Sequence, residues 1–118
     1  MRVLVVDDDA ATRSGLAELL ESAGYESLSV GSFAEALHLL HTTRLDLLIT
    51  DVRLDGGSGV QLVIDNPNRV PTIVLTGVDD ATVAADARRQ GAVYLLKPVS
   101  PEMLLAHIRN LFTGVPPE

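Results

Sequence analysis

The sequence predicts a doubly wound α/β domain: one parallel sheet of five strands with helices on both faces. Three observations predict it. Short β-rich runs alternate with longer helical patterns five times along the chain. Three of the five runs are almost continuously apolar, as strands covered on both faces must be. The 118 residues allow one domain, and 47% hydrophobic content can fill its core without disulfides, since there is no cysteine.

The run 3–6 opens the sheet. Leu16, Leu19, Leu20 and Ala23 follow at i, i+3, i+4, i+7 as the stripe of a first helix, which Gly24 ends. In 27–30, Leu28 and Val30 alternate with serines, so the second strand belongs at an edge. Ser32 and Glu35 make a capping box for a second helix with the stripe Phe33, Ala36, Leu37, Leu40. The third strand is 45–50. After it, DGGSG and Pro67 leave space for only about two turns of helix around 60–64. Gly56, Gly57 and Gly59 make the preceding loop mobile. The fourth strand, 72–76, leads to an alanine-rich helix capped by Asp79 or Asp80 and stopped at Gly91. The fifth, 93–96, leads to Ser100 and Pro101, which open a last helix with the stripe Leu104, Leu105, Ile108, Leu111, ending near Gly114. The domain is expected over 1–112. Residues 113–118, with Pro116 and Pro117, read as a tail or the start of a linker.

Sixteen acids against nine bases give a net charge of −7, which opposes direct binding to nucleic acid or to anionic lipid. No apolar run approaches the ~18 residues of a membrane span, and the start MRVLVV is not a secretory leader. The chain is expected inside the cell, in the cytoplasm. The absence of cysteine also excludes thiolate metal sites.

In open α/β sheets ligands bind beyond the carboxyl ends of the strands, where strand order reverses. The residues there are Asp7, Asp8 and Asp9, then Asp51, Thr76 and Lys97. If the order is 2-1-3-4-5, the first and third strands are neighbours at the reversal, and Asp7, Asp8 and Asp51 converge. Carboxylates within about 4 to 6 Å of one another repel unless a cation joins them. An all-oxygen donor set favours a hard ion, and Mg²⁺ takes one or two carboxylates, waters and a substrate phosphate. Lys97 adds a second positive charge, and the Thr76 hydroxyl can donate to a phosphoryl oxygen. A carboxylate among such groups is set up as a nucleophile toward phosphorus. Asp51, alone after a central strand, is the candidate; Asp7 and Asp8 begin a turn and suit metal binding. Asp9 reads as helix-start chemistry.

VLVVDDD at 3–9, LLITDVRL at 47–54, VLTG at 74–77 and YLLKP at 94–98 resemble the response-regulator receiver domain of two-component signalling, over residues 1 to 112. The resemblance implies a flavodoxin-like fold of order 2-1-3-4-5. It implies that Asp7 and Asp8 bind Mg²⁺, Asp8 directly and Asp7 partly through water, with Asp51 and the backbone carbonyl of Arg53 as further ligands. It also implies that Asp51 accepts a phosphoryl group from a sensor histidine kinase or phosphotransfer protein. Lys97 would pair with that group, Thr76 would move toward it, and Tyr94 would be the switch aromatic that turns inward. The Lys97–Pro98 peptide would be cis. The face of the fourth helix, fifth strand and fifth helix would carry the signal to an output domain or effector. Moving such a switch from 1% to 99% active takes roughly 5.5 kcal/mol of bias. The chain departs from the family pattern at Asp55, where a proline is usual, and in a short interval between Asp51 and Thr76.

Other readings are weaker. A protein-interaction module independent of phosphate is opposed by the intact Asp8, Asp51, Thr76 and Lys97. An aspartate-based phosphatase would want an acid where Arg53 stands. The DDDAATR loop is too acidic for a flavin phosphate. Asp51, Asp55 and Gly56 resemble a calcium loop only superficially, with Arg53 and Leu62 at ligand positions. His38 and His41 lack a third metal ligand, and His107 and the Arg88–Arg89 pair read as helix surface.

Overall fold

Along β1 (Arg2–Val6) the pleat sends Val3 and Val5 to one side of the sheet and Leu4 and Val6 to the other, and all four are buried. Val3 and Val5 pack with Leu20, Leu104 and Ile108, which belong to the first and last helices. Leu4 and Val6 pack with Ala36, Leu40 and Leu62, which belong to the second and third. A third cluster, with Val63, Val74, Ala84, Ala87 and Tyr94, lies between the third and fourth helices. Each fully buried leucine contributes about 2 kcal/mol over its exposed state, so these layers hold the fold.

The structure is a computed structural model and describes residues 1–113. β2 (Glu26–Val30), β3 (Leu47–Thr50), β6 (Thr72–Thr76) and β7 (Val93–Leu96) complete a parallel sheet of order β2-β1-β3-β6-β7. A hairpin of β4 (Arg53–Leu54) and β5 (Gly57–Ser58) stands apart from it. With the hairpin set aside, this is the expected 2-1-3-4-5. Among the described residues β2 pairs only with β1, and it is half-exposed, as its serine alternation requires. The helices are α1 (Ala10–Ser22), α2 (Phe33–Thr42), α3 (Gly59–Ile64), α4 (Ala81–Arg89) and α5 (Pro101–Thr113). None of the helices among the described residues is long and apolar enough to cross a membrane.

Local chemistry sets the boundaries. Asp9 caps α1, Ser32 caps α2, and Asp80 rather than Asp79 caps α4, accepting from the amides of Thr82 and Val83. Gly24 and Gly91 take positive φ just after α1 and α4. Two expectations are corrected. β3 begins at Leu47, not residue 45, because the Asp46 carboxylate and amide both bond to the Arg2 backbone and replace a ladder step. The glycine loop contains the β4–β5 hairpin, with Gly56 at φ 83° in its turn and Phe33 N donating to the Asp55 carbonyl at 2.9 Å. The last helix, expected to end near Gly114, includes Thr113, which the sequence alone places in the tail; its hydroxyl donates to the Arg109 carbonyl. The rest of the expected tail, 114–118, lies outside the described residues. The Lys97–Pro98 peptide is cis.

Candidate functional site

Sheet register brings the site together. Val6 stands opposite Thr50, so Asp7 and Asp51 leave adjacent strands side by side. Thr76 stands opposite Leu96, so Lys97 leaves the next edge, its amide bonded to the Thr76 carbonyl at 2.8 Å. Lys97 Nζ then donates to Asp51 Oδ2 at 2.9 Å and to Asp7 Oδ2 at 3.0 Å. One ammonium thus bridges two carboxylates that would otherwise repel. Asp7 and Thr76 are buried, and Asp51 is half-buried.

Asp51 is held from every side. Its amide donates to the Val6 carbonyl at 3.1 Å, its own carbonyl accepts the Thr50 hydroxyl at 2.8 Å, and its Oδ1 accepts the Val52 amide at 2.6 Å. Gly59, the first residue of α3, lies so close that a Cβ there would be 1.9 Å from the Asp51 carbonyl oxygen. Burial opposes ionisation of Asp51. Hydrogen bonding from Thr76 and Lys97, the Lys97 charge and the Val52 amide outweigh it and hold the carboxyl below its ordinary 3.8. Burial likewise disfavours the Lys97 ammonium, but its bonds to Asp51 and Asp7 and their charges raise it above 10.5. The pair is therefore ionised across the neutral range.

The remaining expected residues fall into place unevenly. Asp8 is exposed beside Asp7, and Arg53 begins the hairpin with an exposed side chain. Among the described residues no three His, Cys, Asp or Glu side chains gather closely enough to hold a metal ion. What the strand ends offer is two carboxylates facing one cation, with further oxygen donors near them in sequence. That donor set suits a hard ion which completes its shell with water and a phosphoryl oxygen, and does not suit a soft metal or an all-protein cage. Asp9 caps α1, its carboxyl lowered by the Thr12 side-chain and backbone hydrogen bonds. His41 and His38 are exposed on α2, His41 bonded to the Leu37 carbonyl and 3.9 Å from Asp65.

Tyr94 is buried, its hydroxyl donating to the Val78 carbonyl, with the Arg88 guanidinium 5.8 Å from the ring centroid. Burial raises its pKa; a backbone hydrogen bond at Asp80 opposes this, the Asp79 and Asp80 charges add to it, and Arg88 opposes it. Thr76 accepts the Val78 amide at 3.2 Å, so Thr76 and Tyr94 meet on the same backbone segment. Sequence reasoning missed three contributors. Thr50 reads as an ordinary strand residue, Gly59 as one of a glycine run, and Arg13 carries no signal of its own. Arg13 Nη1 donates to the Asp7 carbonyl at 2.7 Å. Only the position of Thr50 directly before Asp51 could have signalled its role.

The model of the response regulator receiver domain family matches residues 3–109. The chain is 37% identical over its whole length to the response regulator MprA of Mycobacterium avium, covering 54% of that protein. It is 32% identical over 92% of its length to the DNA-binding response regulator MtrA of Mycobacterium tuberculosis, covering 49% of it. The chain thus spans about half the length of these curated relatives. A CheY-like receiver domain protein from Methanospirillum hungatei superposes with a TM-score of 0.88 at 29% identity, over 92% of this chain and 90% of that one.

Proposed function

The chain belongs to the response regulator receiver domain family, a signalling family rather than one of metabolic enzymes, and from that premise we propose that Asp51 is its phosphoacceptor. The observation that carries this reading is the Lys97 ammonium shared between Asp51 and Asp7 at 2.9 and 3.0 Å. Asp51 is ionised, backbone-locked and at the mouth of the sheet, as an attacking carboxylate must be.

The donor is a phosphohistidine of a sensor kinase or phosphotransfer protein. An Asp51 carboxylate oxygen attacks phosphorus; the P–O bond forms as the P–N bond breaks, and the imidazole leaves with the electron pair and takes a proton. Lys97 meets the new charge on the phosphoryl oxygens, and the Thr76 hydroxyl donates to another. Asp7, Asp8, Asp51 and the Arg53 carbonyl would hold Mg²⁺, which when bound neutralises phosphoryl charge. Water later attacks phosphorus, releasing inorganic phosphate and restoring the Asp51 carboxylate. If Thr76 turns toward the phosphoryl group it gives up the Val78 amide, and Val78 also holds Tyr94. That shared segment is the route by which the charge at Asp51 reaches α4, β7 and α5, the face for an output domain or effector. Residues 1–112 form this module, which works in the cytoplasm and without direct nucleic-acid contact. The DNA binding named for MtrA belongs to that longer protein.

The test is labelling by a small phosphodonor and by candidate kinases, with and without Mg²⁺. Mg²⁺-dependent label that is lost in Asp51→Asn supports the reading; equal labelling of Asp51→Asn overturns it.

A further inference from the structure

Two loops must be held in register for the proposed site to work: the acid turn after β1 and the hairpin after β3. Neither has much structure of its own. The hairpin strands are two residues each, and Asp8 is exposed. Both loops touch residues 31–33, the turn after β2 and the first residue of α2, which include no site residue.

On one side, Arg13 Nη1 reaches over from α1 to the Asp7 carbonyl, and the same atom would lie 2.9 Å from a Cβ on Gly31. The guanidinium is therefore seated against bare backbone. On the other side, Ser32 and Asp55 form a bridge, Phe33 N donates to the Asp55 carbonyl at 2.9 Å, and the Phe33 ring covers Gly57. A Cβ on Gly57 would be 2.5 Å from that ring. Gly31 and Gly57 are not among the glycines with positive φ; at Gly57 a Cβ would meet the root of the Phe33 side chain, and at Gly31 it would displace the Arg13 tip from its seat.

We propose that the turn at 31–33 is a brace that fixes the acid turn against the hairpin, with Arg13 and Phe33 as positioning residues at its two ends. This rests on the reading of Asp7, Asp8, Asp51 and the Arg53 carbonyl as the cation site. Mg²⁺ demands near-octahedral geometry at short distances, so small losses of register between the two loops reduce its affinity steeply.

The experiment is calorimetric titration of the chain with Mg²⁺ alone, in the parent and in Arg13→Ala, Phe33→Ala and the double variant. Phe33→Leu serves as a milder replacement should Phe33→Ala fold poorly. Each single variant weakens Mg²⁺ binding about tenfold. Cutting both ends of one brace adds little, so the double variant stays within about twofold of the weaker single, whereas independent effects multiply. Arg13→Lys, which keeps a donor for the Asp7 carbonyl, recovers most of the affinity. Leu28→Ala, on the same edge but outside the brace, stays within about twofold of the parent. Single variants that bind as the parent does, or losses that multiply, overturn the brace. A parent chain that binds no Mg²⁺ overturns the site reading instead. The brace is then decided by amide exchange at Asp9, whose N–H donates to Asp7 Oδ1: faster exchange in Phe33→Ala upholds it, unchanged exchange overturns it.

Discussion

Lys97 is the residue on which the site's electrostatics turn. Its ammonium neutralises a buried and a half-buried carboxylate together, so Lys97→Ala leaves Asp7 and Asp51 facing each other without compensation. Removing one member of such a buried pair costs about 3 kcal/mol, less here because Lys97 is partly exposed. Chemical denaturation of Lys97→Ala should therefore show a loss of about 2 kcal/mol. Asp51 titrates below 3.8 when folded, so the unfolded chain binds its proton more readily. The stability Asp51 contributes is present above 3.8 and disappears as pH falls through its lowered pKa. For Lys97 the sense is reversed: its contribution is present below 10.5 and disappears as pH rises through its raised pKa. Carbon-detected NMR titration of the Asp51 carboxyl should show its pKa rising in Lys97→Ala; an unmoved value would contradict the bridge. Asp7, Asp51, Thr76 and Lys97 were legible in the sequence because strand ends can be read from apolar runs and their chemistry is polar. Arg13 was not, because a guanidinium that bonds a backbone carbonyl leaves no mark on helical periodicity.

At the scale of elements, α3 shows how a short helix can matter to a site it does not carry. It has six residues, too few to be stable alone, and depends on Ser58 as its cap and on Gly59 lying against Asp51. Ser58→Ala should lose about 1 kcal/mol. Gly59→Ala should be worse, by about 3 kcal/mol, because its methyl meets backbone rather than a side chain that can swing away. Gly59→Ala should also slow Asp51 phosphorylation, since relief of the clash moves the Asp51 carbonyl; an unchanged rate would detach α3 from the site. The sequence indicated two turns of helix here and was right about their brevity. The hairpin before them went unread because two-residue strands have no periodicity, although its Asp55–Gly56 turn is a hairpin dipeptide. The edge position of β2, in contrast, was written in its alternating serines, and the start of β3 was displaced only by the side-chain substitution that Asp46 makes for a ladder bond.

For the whole molecule, the acidic excess and the two-carboxylate strand ends predict a chain that divalent cations stabilise. With Mg²⁺ at 100 times its dissociation constant the gain is about 2.7 kcal/mol, read as a rise in melting temperature that vanishes on chelation. The two faces of the sheet divide the labour, α1 and α5 covering one and α2, α3 and α4 the other. Asp51 stands at the carboxyl end between them, so charge added there can be felt through Thr76 and Tyr94 on the α4 side. The fold class was legible because five βα alternations admit few other arrangements, while the strand order owed part of its reading to the resemblance to receiver domains.

The central claim is that Asp51 itself forms the acyl phosphate. The most direct measurement is borohydride reduction of the phosphorylated chain followed by peptide mass mapping, which converts an aspartyl phosphate to homoserine. Homoserine at position 51 is the predicted result. Homoserine at 7 or 8, or label that yields none, would contradict it.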